Sequence, residues 1–167
     1  MPIAHQFRAF TDSTNVLLIA KIATISSMGI FAGTALNYNT VTMPSLRKFA
    51  SSSSLAVWAE MYQLAKPIQI STIVLSALGG AGLYYKTQNS YYLAGALMMV
   101  VIIPYTTTLL YPINNKLLDI RKTGRDDGTV EEMLIRWDAI HFGRTLLGYG
   151  AMIVTLYGAL KSHTRIV

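Results

Sequence analysis

The chain has 167 residues, enough for one ordinary domain. Charged side chains make up 13% of it, against ~25% in soluble domains, while apolar ones reach 52%, and its net charge is +6. Disorder, a collagen-like chain and a free-standing water-soluble enzyme are poor fits to that balance, and the absence of cysteine removes disulfides, thiolate catalysis, iron–sulfur clusters and cysteine zinc sites together.

Four blocks, 22–46, 67–85, 87–115 and 145–160, contain no Asp, Glu, Lys or Arg. A globule in water cannot easily solvate them, so their partner is a lipid bilayer, which a helix of ~20 apolar residues crosses. In chain order, the first predicted span is 16–37, with Lys21 inside it. Its polar lead of fifteen residues and the length beyond Lys21 read as a retained helix rather than a signal peptide. Residues 55–66 follow as a short interfacial helix, with Trp58, Met61, Tyr62 and Ala65 on one stripe at helical spacing. The second span is 67–85, with Pro67 at its start, and the third is 91–111, stopped by Pro112. Only Lys86, Thr87, Gln88, Asn89 and Ser90 separate these two, which makes them an antiparallel hairpin. A charged loop, 113–136, then leads to the fourth span, 140–160. The fold class expected is all-α: an integral membrane four-helix bundle in a single transmembrane domain over 1–167, with the short interfacial helix in its first long loop. Glycines at 29, 33, 79, 80 and 82 offer close helix approach.

An even number of spans puts both termini and the 86–90 turn on one side, with Arg8, Lys86, Lys161 and Arg165. Arg47, Lys48, Lys66, Lys116, Arg121, Lys122, Arg125 and Arg136 fall on the other, which favours cytoplasmic long loops. The basic residues form no long run and sit at the ends of apolar blocks, as lipid anchors do, so no nucleic-acid partner is expected. Four helix ends meet on the long-loop face, and polar groups at those ends should converge. Trp137, His141, Arg144 and Gly148 recur at one face of the fourth helix. An ionisable pair there is costly unless it faces the bundle interior or a wet cavity. The alternative is an interfacial pair that snorkels to water. Asp138 is within reach of His141. Asn37 and Asn39 close the first span, Tyr105 follows Pro104 in the third, and Asn114 follows Pro112. His5, His141 and His163 are the only histidines and fall on opposite sides, so no metal site is expected. No phosphate-binding glycine loop gives a nucleotide a home.

The run Gly33-Thr34-Ala35-Leu36-Asn37 with Pro44, Trp58, Pro104-Tyr105-Thr106, Pro112-x-Asn114-x-x-Leu117 and Trp137-x-x-x-His141-x-x-Arg144 together carry a resemblance. The chain resembles the anthrone-oxygenase-like family of small four-span membrane proteins, over nearly its whole length. The last motif is the most specific. The resemblance implies oxidation of an anthrone to an anthraquinone with O2, the partners being a hydrophobic planar aromatic molecule, O2 and the bilayer, and no cofactor. For that reaction, residue type and position make His141 the base and Arg144 the stabiliser of an enolate oxygen, with Asn114 or Asn37 donating hydrogen bonds, Trp137 or Trp58 stacking on the substrate and Tyr105 also contacting it. A eukaryotic member would sit in the endoplasmic reticulum or another internal membrane. The competing reading is a non-catalytic accessory subunit of a larger membrane complex, and homo-oligomerisation stays open. A transporter is disfavoured, because no polar stripe runs through a span.

Overall fold

The computed structural model describes residues 13–163, all but short connections of them helical. His5, Arg8 and Arg165 lie outside the described residues. α1 (Ser13–Asn37) runs into a π-helical turn, Tyr38–Thr42, and the short α2 (Met43–Leu46). α3 (Ser51–Thr87) and α4 (Ser90–Tyr105) are followed by a second π turn, Thr106–Leu110, then α5 (Tyr111–Thr123) and α6 (Val130–His163). Each π turn is followed two residues later by a proline, Pro44 or Pro112. Proline has no N–H and its ring crowds the carbonyl four residues back, so one widened turn lets the helix continue past it. Pro112 therefore does not stop the third predicted span; it opens α5 after the π turn.

The 55–66 helix is present, but it runs without a break through Pro67 into the second span as the 37-residue α3. Pro67 faces outward and its missing bond is outweighed by packing on either side of it, Trp58 and Ala59 in one cluster and Ile73 in another. At 1.5 Å per residue α3 is about 55 Å long, well beyond a ~30 Å hydrocarbon core. The hairpin forms as expected: Gln88 takes a left-handed conformation (φ 54°), and the Asn89 side chain accepts from Tyr91 N–H at 3.1 Å to start α4. α5 ends at Gly124, whose φ of +67° disfavours other residues. Before α6, Thr129 donates to Asp127 and holds that carboxylate below its usual range.

α1 packs on α3 and α6, and α4 packs on the same two, so the long helices form a four-helix bundle with antiparallel neighbours. Its interior holds Met28, Phe31, Ile73, Met99, Ile102 and Ala151, together with buried Thr24, Ser76 and Thr155. The outer face presents Ile22, Ile30, Leu78, Leu97, Ile153 and Leu160. Hydroxyls inside and large aliphatics outside suit a bundle whose solvent is lipid. Three helical stretches, Asn15–Leu46, Ser51–Thr87 and Ser90–Thr123, are long and apolar enough to cross a membrane, which marks a membrane protein. α6 is comparably long but less apolar, with His141 and Arg144 in its path.

Small residues decide some of the helix contacts. A Cβ on Gly79 would lie 2.2 Å from Thr24 Oγ1, and one on Gly80 2.9 Å from the Tyr92 carbonyl, so these two sit at close crossings. Gly33 and Gly82 face open space, and Gly29 makes only ordinary contact.

Beyond the bundle core a second cluster caps the long-loop end. Met43 and Leu46, Leu55 and Trp58, Leu110 and Leu117, and Leu134 and Trp137 bring α2, α3, the second π turn with α5, and α6 together. Trp58 and Trp137 meet edge to face at 5.9 Å, on the same face of the bundle. The candidate site lies where cap and bundle join.

Candidate functional site

Helical spacing places Trp137, His141, Arg144 and Gly148 on the inner face of α6. Trp137 is 3% exposed and His141 1% exposed, and their rings stack at 4.5 Å. Gly148 gives Phe31 room, because a Cβ there would lie 2.7 Å from its Cδ1. The Phe31 ring in turn lies 5.4 Å below the Arg144 guanidinium, a cation–π contact.

Each polar group has a definite orientation. Trp137 Nε1 donates to Asn114 Oδ1 at 2.7 Å. An indole N–H only donates, so the Asn114 oxygen is committed and its NH2 is turned elsewhere, with no protein partner among the described residues. Arg144 donates to Gln69 Oε1 at 2.8 Å, and Gln69 Nε2 donates to Thr34 Oγ1 at 2.7 Å. Among the described residues Arg144 Nε is buried without a hydrogen bond, and no carboxylate pairs with this guanidinium. His141 Nδ1 lies 3.1 Å from Asn39 Oδ1, whereas Nε2 makes no hydrogen bond to protein among the described residues.

These groups border one cavity of about 240 Å³. Trp137, His141, Arg144, Asn114, Tyr38 and Gln69 form its inner wall, and Tyr62, Ile73 and Leu110 much of its apolar side. Exposed Lys66, Ile70, Ile103, Thr107 and Tyr111 flank its opening between α3 and α4, on the apolar exterior of the bundle. Among the described residues no acidic side chain lines it. A cavity with apolar walls, a buried guanidinium without a carboxylate, one free amide donor and one bare imidazole nitrogen can take a planar molecule with an acidic C–H and hold the oxygen on which its charge develops.

Of the residues singled out in the sequence, His141, Arg144, Asn114 and Trp137 therefore meet at one cavity. Asn37 does not reach it: its Oδ1 accepts from Thr42 Oγ1 at 3.0 Å, on the exposed side of the helix. Asn39 faces inward instead, four residues beyond buried Ala35 and seven beyond buried Ala32. Trp58 is fully buried but stands behind the wall, stacked on Tyr62 at 5.5 Å. Tyr105 is turned to α6, where its hydroxyl donates to the Ile140 carbonyl at 2.7 Å over Gly143. Asp138 pairs with Arg47 and Asn39 rather than with His141 directly. Gln69, Thr145 and Tyr38 were not anticipated. Gln69 had a signal, being the only amide in the charge-free 67–85 block. Among the described residues no three His, Cys, Asp or Glu side chains gather as a metal site.

The sequence profile of the anthrone oxygenase family matches residues 58–154, more than half of the chain. Anthrone oxygenase ptaC of Pestalotiopsis fici is 28% identical over 116 residues, which is 62% of this chain and 82% of that protein. No solved structure matches. The matched segment spans α3 from Trp58 onward, α4, α5 and most of α6, and so contains every cavity residue named above except Tyr38.

Proposed function

The chain belongs to the anthrone oxygenase family, and from that premise we propose that it oxidises a planar aromatic polyketide of the anthrone type to the quinone with O2, without a cofactor. The observation that carries the reading is the bare His141 Nε2 on the same cavity as two donors, Arg144 and the Asn114 amide.

His141 Nε2 takes one proton from the activated methylene. The electron pair left behind spreads onto the carbonyl oxygen, giving an anthrolate, and Arg144 and Asn114 stabilise that oxygen. The anthrolate is electron-rich enough to pass an electron to O2. Recombination forms a carbon–oxygen bond at the former methylene, and the proton held by His141 returns to the peroxide. Loss of water, taking the second hydrogen of that carbon, leaves the new carbonyl. The balance is anthrone plus O2 to anthraquinone plus water. The apolar walls exclude bulk water and favour the neutral, flat substrate, and Trp137, Tyr38 and Tyr62 give those walls an aromatic character.

The test is O2 uptake with quinone formation by purified, metal-stripped protein given an emodin-type anthrone, corrected for spontaneous oxidation. One O2 consumed per quinone, unaffected by strong chelators, is the expected result. Activity lost on stripping and restored by copper or iron would refute the cofactor-free chemistry. No turnover, together with a stoichiometric partner on purification in mild detergent, would favour the accessory-subunit reading instead.

A further inference from the structure

His141 carries two ring nitrogens, and only one tautomer leaves Nε2 bare for the cavity. The Asn39 amide has four close neighbours. Its Nδ2 lies 2.9 Å from the Asp138 carbonyl and 2.6 Å from Asp138 Oδ1, both acceptors. Its Oδ1 lies 2.7 Å from Thr145 Oγ1 and 3.1 Å from His141 Nδ1. Reversing the amide would set its oxygen against two oxygens of Asp138, so the orientation is fixed by those partners. With Oδ1 committed as an acceptor, Nδ1 of His141 must carry the hydrogen. The Asp138 carboxylate that holds Asn39 is itself paired with Arg47, from the segment just after α2. Asn39 lies four residues beyond Ala35 and seven beyond Ala32, both fully buried, on the inner face that α1 carries into the first π turn.

We infer that Asn39 is a positioning residue for His141: the chain Arg47–Asp138–Asn39 locks the imidazole in its Nδ1–H tautomer, with the lone pair of Nε2 presented to the cavity. The inference rests on His141 being the proton acceptor for its catalytic meaning, but the locked tautomer stands on hydrogen bonding alone. A second-sphere acceptor on one ring nitrogen selects the tautomer at the other, and where such a bond orients a metal-binding imidazole its loss costs about 10- to 100-fold. Thr145 shares the same amide oxygen and keeps it from turning away.

The experiment is ¹⁵N NMR of histidine-labelled protein in lipid, without substrate. There are three histidines, and the difference from His141→Gln assigns the resonance. The wild type is expected to show protonated Nδ1 and unprotonated Nε2. Asn39→Leu should give a tautomer mixture and lower kcat about 10- to 100-fold with KM within about twofold. Asp138→Leu should weaken the lock in the same sense, while Asp138→Asn, which keeps an acceptor for Asn39, should restore the wild-type tautomer. A folded Asn39→Leu protein with an unchanged tautomer and kcat overturns the inference. If Asn39→Leu does not fold, a wild-type His141 that carries its hydrogen on Nε2 overturns it equally. A locked tautomer in the wild type, released in Asn39→Leu, together with full activity in His141→Ala would refute the catalytic reading and leave the positioning chain intact.

Discussion

Replacing Asn114 by Leu removes the acceptor of the Trp137 indole and little else in volume. Both residues are almost fully buried, at 2% and 3% exposure, and their bond is 2.7 Å long. An indole N–H left without its acceptor should cost about 1–3 kcal/mol. The unfolded chain in detergent also finds partners for its polar groups, which favours the lower half of that range. The test is a double-mutant cycle with Trp137→Phe, which has no N–H to strand. Asn114→Leu should therefore cost clearly less when Trp137→Phe is already in place, with a coupling energy of about 1 kcal/mol or more. Unfolding is followed in mixed micelles by far-UV circular dichroism, because helix content is common to all four proteins. Costs that add within about 0.3 kcal/mol would show that the bond carries no net stability and refute the reasoning.

Gly148→Ala should lower the melting temperature, because a Cβ 2.7 Å from Phe31 Cδ1 must displace the ring beneath Arg144, whereas Gly33→Ala faces open space within α1 and should leave it unchanged or slightly raised. Arg144→Lys should keep the fold but lose about 10²-fold or more in kcat on anthrone, since lysine retains the charge without the planar donor fork. Trp58→Phe should destabilise the protein less than Trp137→Phe, because Trp58 Nε1 is buried without a partner among the described residues and its removal strands nothing. Thermal unfolding of the two variants side by side decides this.

The four long helices were legible because lipid demands charge-free blocks of a set length, and 22–46, 67–85, 87–115 and 145–160 supply them. The α6 face was legible for the same reason as any helical stripe: Trp137, His141, Arg144 and Gly148 share a period. The helix ends were harder to read. Pro67 and Pro112 look like boundaries, yet packing on both sides carries one helix through and a π turn carries the other. That turn type has no period of its own to detect. Asn39 rather than Asn37 reaches the site because it continues the helical stripe of Ala32 and Ala35. Trp58 and Tyr105 were matched to a substrate by residue type. The stack of Trp58 on Tyr62 follows their helical spacing, but its contact with Trp137 and that of Tyr105 with the Ile140 carbonyl are ones no spacing reveals.

The central claim is that His141 takes the methylene proton, and His141→Ala tests it most directly. O2 uptake on an emodin-type anthrone is compared between wild type and variant, both metal-stripped and shown to be folded by helix content. Uptake in His141→Ala should fall to the spontaneous rate, with substrate still bound through the cavity walls. Full activity in His141→Ala would contradict the claim.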